Sequence, residues 1–167
     1  MSLRLLAFAL IACAMLLRPT AVGAHDERPE PTVYFFWSAS CPYSKLARTF
    51  LQAEQAKDAA LGIRDYEVDS SVPNGNLLGR LYDKVGLPGR RIVPTIVIGT
   101  NIIIGYIDDA TTGRDILNAV AACRKTACKD VVKGLIESQD RLDADAGSLP
   151  PRRIACEREP GRVVRYP

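Results

Sequence analysis

Residues Thr32–Trp37 (TVYFFW) form an uninterrupted β-branched and aromatic run, and after Ser38-Ala39-Ser40 the chain continues as Cys41-Pro42-Tyr43-Ser44. The run has the composition of a buried strand. The three small polar residues read as a turn, and Pro42 suits the first position of a helix, where a missing N–H costs nothing. Leu46, Phe50 and Leu51, with Ala47, Ala53 and Ala56, recur at helical spacing, and Gly62 is expected to end that helix. Cys41 therefore falls where a strand stops and a helix starts. A sulfur there faces unpaired backbone N–H groups and the positive end of the helix dipole. Both favour thiolate over thiol and pull the pKa below the free value of about 8.5. The sequence predicts a nucleophilic Cys41 at the rim of the fold.

The pattern downstream is that of an α/β chain. Ile63–Asp69 alternates as a second strand, and Ser70–Gly75 is a loop. Leu77, Leu78, Leu81, Tyr82 and Val85 mark an amphipathic helix closed by Gly86. Leu87–Arg91 is a Pro/Gly loop, and Ile92–Ile98, which contains Pro94, is a third strand. Gly99-Thr100-Asn101 turns the chain into a returning strand, Ile102–Tyr106. A last helix carries Ile116, Leu117, Val120 and Ala121, capped by Thr112 or Asp108, and helical character resumes over Lys129–Glu137. The order β-α-β-α-β-β-α predicts a four-stranded mixed sheet flanked by helices, with a parallel first pair and an antiparallel late hairpin.

Composition narrows the function. With 22 Lys+Arg against 19 Asp+Glu, the net charge of +3 is small and nowhere clustered, which argues against nucleic acid as a partner. A single His and no dense Cys/His cluster argue against a zinc site. Residues 1–24 read as an export signal: Arg4, an apolar stretch from Leu5 to Leu17, and Val22-Gly23-Ala24 as cleavage site. Leu10-Ile11-Ala12-Cys13 also has the look of a lipoprotein signal, with Cys13 as the acylated residue. Either reading places the mature chain in the periplasm or outside the cell, where disulfides persist, without stable membrane insertion after the signal is removed. The expected organisation is a domain over residues 25–139 and a polar, poorly ordered tail over 140–167.

The segment from Val33 to Cys123 resembles the thioredoxin/glutaredoxin superfamily, in particular small exported thioredoxin-like domains whose aromatic strand leads into Cys-Pro-x-Cys. The matching residues are Val33–Trp37, Cys41-Pro42-Tyr43-Ser44, Val93-Pro94-Thr95, and Gly105-Tyr106 with Asp108-Asp109. The resemblance implies a thiol–disulfide oxidoreductase with Cys41 as nucleophile, no bound cofactor, glutathione as a co-substrate, and protein thiols or disulfides as partners. It implies a cis Pro94 beside Cys41, with Val93 pairing to an extended substrate and Pro42 and Tyr43 lining its path. Gly105, Tyr106, Asp108 and Asp109 are similar to the glutaredoxin segment that holds the glutathione α-carboxylate and amine, where Tyr106 replaces a glycine and would narrow the groove. Arg90 and Arg91 either meet a glutathione carboxylate or are a solvated basic pair.

Ser44 stands where dithiol members have their second Cys, and a hydroxyl cannot resolve a mixed disulfide. Three readings stay open. Cys41 works as a monothiol, with Ser44 donating a hydrogen bond to it. Alternatively another cysteine resolves, Cys156 ahead of Cys123 and Cys128 because it lies on the tail. Or the domain is an inert binding module. A structural bond is expected to use Cys128: with Cys156, stapling the tail, or with Cys123 if the helix breaks near Lys125–Ala127. An iron–sulfur role has no support beyond the lone Cys41.

Overall fold

The computed structural model describes residues 30–143, 154–156 and 162–166. The export signal, Cys13 and the start of the predicted domain lie outside them. Strand β1 (Thr32–Trp37) is followed by α1 (Pro42–Lys57), β2 (Gly62–Glu67) and α2 (Val72–Lys84). Then come β3 (Arg91–Val93), β4 (Thr95–Ile98), β5 (Asn101–Ile104), one wide π-helical turn (Asp109–Gly113), α3 (Arg114–Lys125), α4 (Lys133–Asp143), β6 (Ile154–Cys156) and β7 (Arg162–Arg165). Among the described residues no helix is long and apolar enough to cross a membrane.

The chain is α/β, built on a mixed five-stranded sheet in the order β2-β1-β4-β5-β7. β1 and β2 are parallel and β4 and β5 antiparallel, as the element order predicts, and β4 also runs antiparallel to β1. Alternation along the strands fills two cores. Val33, Phe35, Ile96, Ile98 and Ile103 face one side and pack on Ala47, Phe50 and Leu51 of α1 and on Ile116, Ala119 and Val120 of α3. Tyr34, Phe36, Val97, Ile102 and Ile104 face the other, against Leu77, Leu78, Leu81 and Tyr82 of α2 and Val131 and Val132 before α4. Each fully buried large side chain contributes about 1.5–3 kcal/mol through area removed from water.

Five expectations need correction. The sheet has five strands rather than four, because β7 pairs antiparallel with β5. The tail is not structureless where it is described: β6 and β7 both join the fold, Val164 packs against the second core, and the helix after Lys129 extends past Gln139. Short strands like these take their stability from the partner edge, so their own sequence carries little signal. The stretch Ile92–Ile98 is two strands, broken at the cis Val93–Pro94 bond. Gly62 opens β2; α1 ends earlier, at the Asp58 cap. Finally, Leu46, Ala53, Ala56, Leu117 and Ala121 lie outside the cores, because the contact stripes of α1 and α3 are narrower than the apolar pattern.

Candidate functional site

Parallel β1 and β2 end at the same edge of the sheet, and the site is built there. The Cys41 N–H donates to the Ser38 carbonyl at 3.2 Å, and the Cys41 carbonyl accepts from Lys45 N–H, also at 3.2 Å. Cys41 thus occupies the N-cap of α1 in an extended conformation, with Pro42 in the first turn. Its Sγ lies 3.5 Å from the carbonyl oxygen of Val93. The strand–helix junction and the proline bend, 52 residues apart, therefore meet.

Cys41 is not a free thiol at the rim. It is fully buried in the second core and bonded to Cys156, with Cα atoms 5.5 Å apart. β6 brings Cys156 there by pairing parallel to β3: Arg91 opposite Ile154, Ile92 opposite Ala155, Val93 opposite Cys156. Cys156 is the exposed half of the pair. The other bond, Cys123–Cys128, has Cα atoms 5.0 Å apart and sits against the Gly99 turn, at the opposite end of the sheet from Cys41. It exists because α3 stops at Lys125 and Thr126 leaves the helical conformation. Cys128 therefore does not staple the tail; Cys41 does.

The proline bend is clamped from three sides. The Tyr82 hydroxyl accepts from Ile92 N–H at 3.1 Å, the Thr95 hydroxyl donates to the Ile92 carbonyl at 2.6 Å, and Gly105 N–H donates to the Pro94 carbonyl at 2.8 Å. Gly105 has a φ of 80°, which favours glycine there.

The turn before Cys41 has its own polar support. Ser44 is buried, and its hydroxyl oxygen accepts from Ser38 N–H at 3.3 Å, so it fixes the turn rather than contacting the sulfur. The Ser38 and Ser40 hydroxyls both donate to Asp69, the latter at 2.9 Å. Glu67 accepts from Ala39 N–H at 3.4 Å and Asp69 N–H at 3.1 Å, and also from Ser70. Burial pushes the Glu67 pKa up, but the Ser70, Asp69 and Ala39 hydrogen bonds outweigh it and hold the carboxyl below its ordinary range. Sequence reasoning missed Ser38, Glu67, Asp69 and Tyr82 as site residues, and the clamping role of Thr95. The signal available was the parallel β1–β2 pair, which must bring the residues after both strands to one edge.

Other predicted site residues have structural partners. Tyr43 is half-buried between the two cores, and Pro42 is exposed. Tyr106 does not narrow a groove: its ring is fully buried, 6.1 Å from that of Phe50, and its hydroxyl donates to Asp109 at 2.5 Å. Burial, reinforced by Asp109, pushes the Tyr106 pKa well above the usual phenol value. Asp108 accepts from Thr111 N–H at 2.7 Å and caps the π-helical turn. Of the two arginines, Arg90 is exposed, whereas Arg91 is buried with its guanidinium over Gly79 of α2, so they are not a solvated pair.

No protein-family model matches this chain, and no curated protein sequence matches it either.

Proposed function

We propose that this chain is an exported thiol–disulfide oxidoreductase of the thioredoxin/glutaredoxin type, with Cys41 as nucleophile and Cys156 as its resolving partner. The supporting observation is that Cys41, at the start of α1 and beside Val93–Pro94, is bonded to a cysteine 115 residues away on a three-residue strand.

In the reductive direction, the Cys41 thiolate attacks a client disulfide. One client sulfur bonds to Cys41 and the other leaves as thiolate. The Cys156 thiolate then attacks the Cys41 sulfur, forming the Cys41–Cys156 bond and releasing the second client thiolate, which takes up a proton. The client gains two electrons and the protein loses two. Glutathione or another external dithiol or thiol pair restores the dithiol and is itself oxidised to a disulfide. Attack on the exposed Cys156 sulfur expels Cys41, whose thiolate the α1 N-terminus stabilises, so this is the faster opening route. Ser44 is no obstacle in this scheme, because the resolving sulfur comes from β6.

A second reading, that Cys41–Cys156 is an inert staple holding the tail, is favoured by the complete burial of Cys41. Turnover of a glutathione–protein mixed disulfide, and of a protein disulfide, separates the two. Wild type is expected to turn over both, Cys41→Ser neither, and Cys156→Ser only the first. Equal rates for wild type and Cys41→Ser would leave the inert reading.

A further inference from the structure

At the end of the sheet away from Cys41, the start of β1, the Gly99 turn, the loop after α3 and the start of α4 border a cavity of about 310 Å³. That is room for a small organic molecule, at the low end of ligand sites. One stretch of its wall is the Cys123–Cys128 bond, with Gly99 and Ala127 beside it. Four charged side chains also line it: Glu30, Asp130, Arg64 of β2 and Lys133 of α4.

The two carboxylates are already engaged. Glu30 accepts from Arg124 at 2.8 Å. Asp130 accepts from the Tyr34 hydroxyl at 2.7 Å with one oxygen, and from the Val132 and Lys133 N–H groups at 3.0 and 2.8 Å with the other. The two cations are not. Among the described residues, the Arg64 guanidinium and the Lys133 ammonium have neither a hydrogen bond nor an ion pair. Burial first, and then Asp130, push the Tyr34 pKa above the usual phenol value, while the Arg64 charge pulls the other way. The field of Arg64 therefore reaches the hydroxyl that helps form the cavity wall.

From this imbalance we infer that the cavity is a binding site for a short dicarboxylate, with one carboxylate on Arg64 and the other on Lys133. The unused side-chain charge is all hydrogen-bond donor, so the ligand must bring acceptors. The donors come from different elements, β2 and α4, so a ligand with two separated anionic groups can meet both. The guanidinium takes a carboxylate through two parallel hydrogen bonds, and the ammonium takes one as a point charge. The disulfide, Gly99 and Ala127 give the methylene stem an apolar surface. This site is separate from the Cys41 centre and does not rest on the exchange reading.

Titration calorimetry of the full, oxidised chain with glutarate tests it, with acetate as the single carboxylate and inorganic phosphate as the compact anion. Glutarate is expected to bind about tenfold more tightly than either, the worth of a second charge-assisted contact. Arg64→Gln and Lys133→Gln are each expected to weaken glutarate about tenfold, whereas Lys45→Gln, at the Cys41 end, leaves it unchanged. A second readout needs no variant. Dithiothreitol reduces Cys123–Cys128 by attack on the half-buried Cys128 sulfur; both cysteines become thiols as the reagent closes to its cyclic disulfide. Saturating glutarate is expected to slow this several-fold by covering Cys128, without slowing release of Cys41 and Cys156. Absence of glutarate binding, equal binding by wild type and the Arg64→Gln/Lys133→Gln double variant, or tighter binding of phosphate would overturn the dicarboxylate site. Unslowed reduction of Cys123–Cys128 with glutarate bound would put the ligand elsewhere and overturn it equally.

Discussion

Cys156 stands opposite Val93 in the β3–β6 ladder while its sulfur is bonded to Cys41. The tail thus closes over the junction where β1 hands the chain to α1, and the local sequence around Cys41 shows only half of the centre.

The two disulfides differ in surroundings. Each bond has one buried member, Cys41 or Cys123, but the second member is exposed at Cys156 and only half-buried at Cys128. Peptide mapping of the non-reduced protein is expected to give Cys41–Cys156 and Cys123–Cys128 as the linked pairs. Under graded reductant, two thiols should appear before the other two, with Cys41 and Cys156 labelled first, because attack requires access. Simultaneous release of all four would contradict this.

Gly99 carries a second constraint. Its φ is +60°, and an added Cβ would lie 2.5 Å from the Cys128 Cβ and 3.0 Å from the Cys123 Sγ. Gly99→Ala is expected to cost about 2–4 kcal/mol in urea unfolding, combining backbone strain with overpacking. Gly99→Asn relieves much of the strain but not the crowding. A near-neutral asparagine variant would show that conformation alone matters.

Acid should loosen the turn before Cys41. The folded pKa of Glu67 is held below its unfolded value, so its stabilisation is fully present above about pH 4.3 and is lost as pH falls through the folded pKa. Glu67→Gln should flatten the pH dependence of stability in that acid window and leave it unchanged near neutrality. An unaltered acid slope, measured by thermal unfolding at several pH values, would count against the turn's dependence on this carboxylate.

Removing residues 157–167 deletes β7 and uncovers the edge of β5. Loss of the Val164 packing and of the ladder should destabilise the chain by about 1–3 kcal/mol. The bared edge should also promote self-association, since unpaired strand edges recruit others. Sedimentation at increasing concentration checks this; a monomer of undiminished stability would refute it.

Much of the fold was legible because the signals were local. Thr32–Trp37 is a strand on composition, α2 follows its apolar spacing, and Gly99 marks the hairpin turn. Tyr106 was misread because its ring direction depends on Phe50 and Asp109, which no spacing rule connects to it.

By itself the sequence determined where β1 ends and that α1 begins at Cys41-Pro42, because backbone sterics and side-chain periodicity act over a few residues. Tertiary structure alone decided that Cys156 is the partner of Cys41 and that residues 154–156 and 162–165 are strands. Those outcomes depend on edges and sulfurs supplied by residues far along the chain. A strand of three or four residues has no stability until such an edge is already in place.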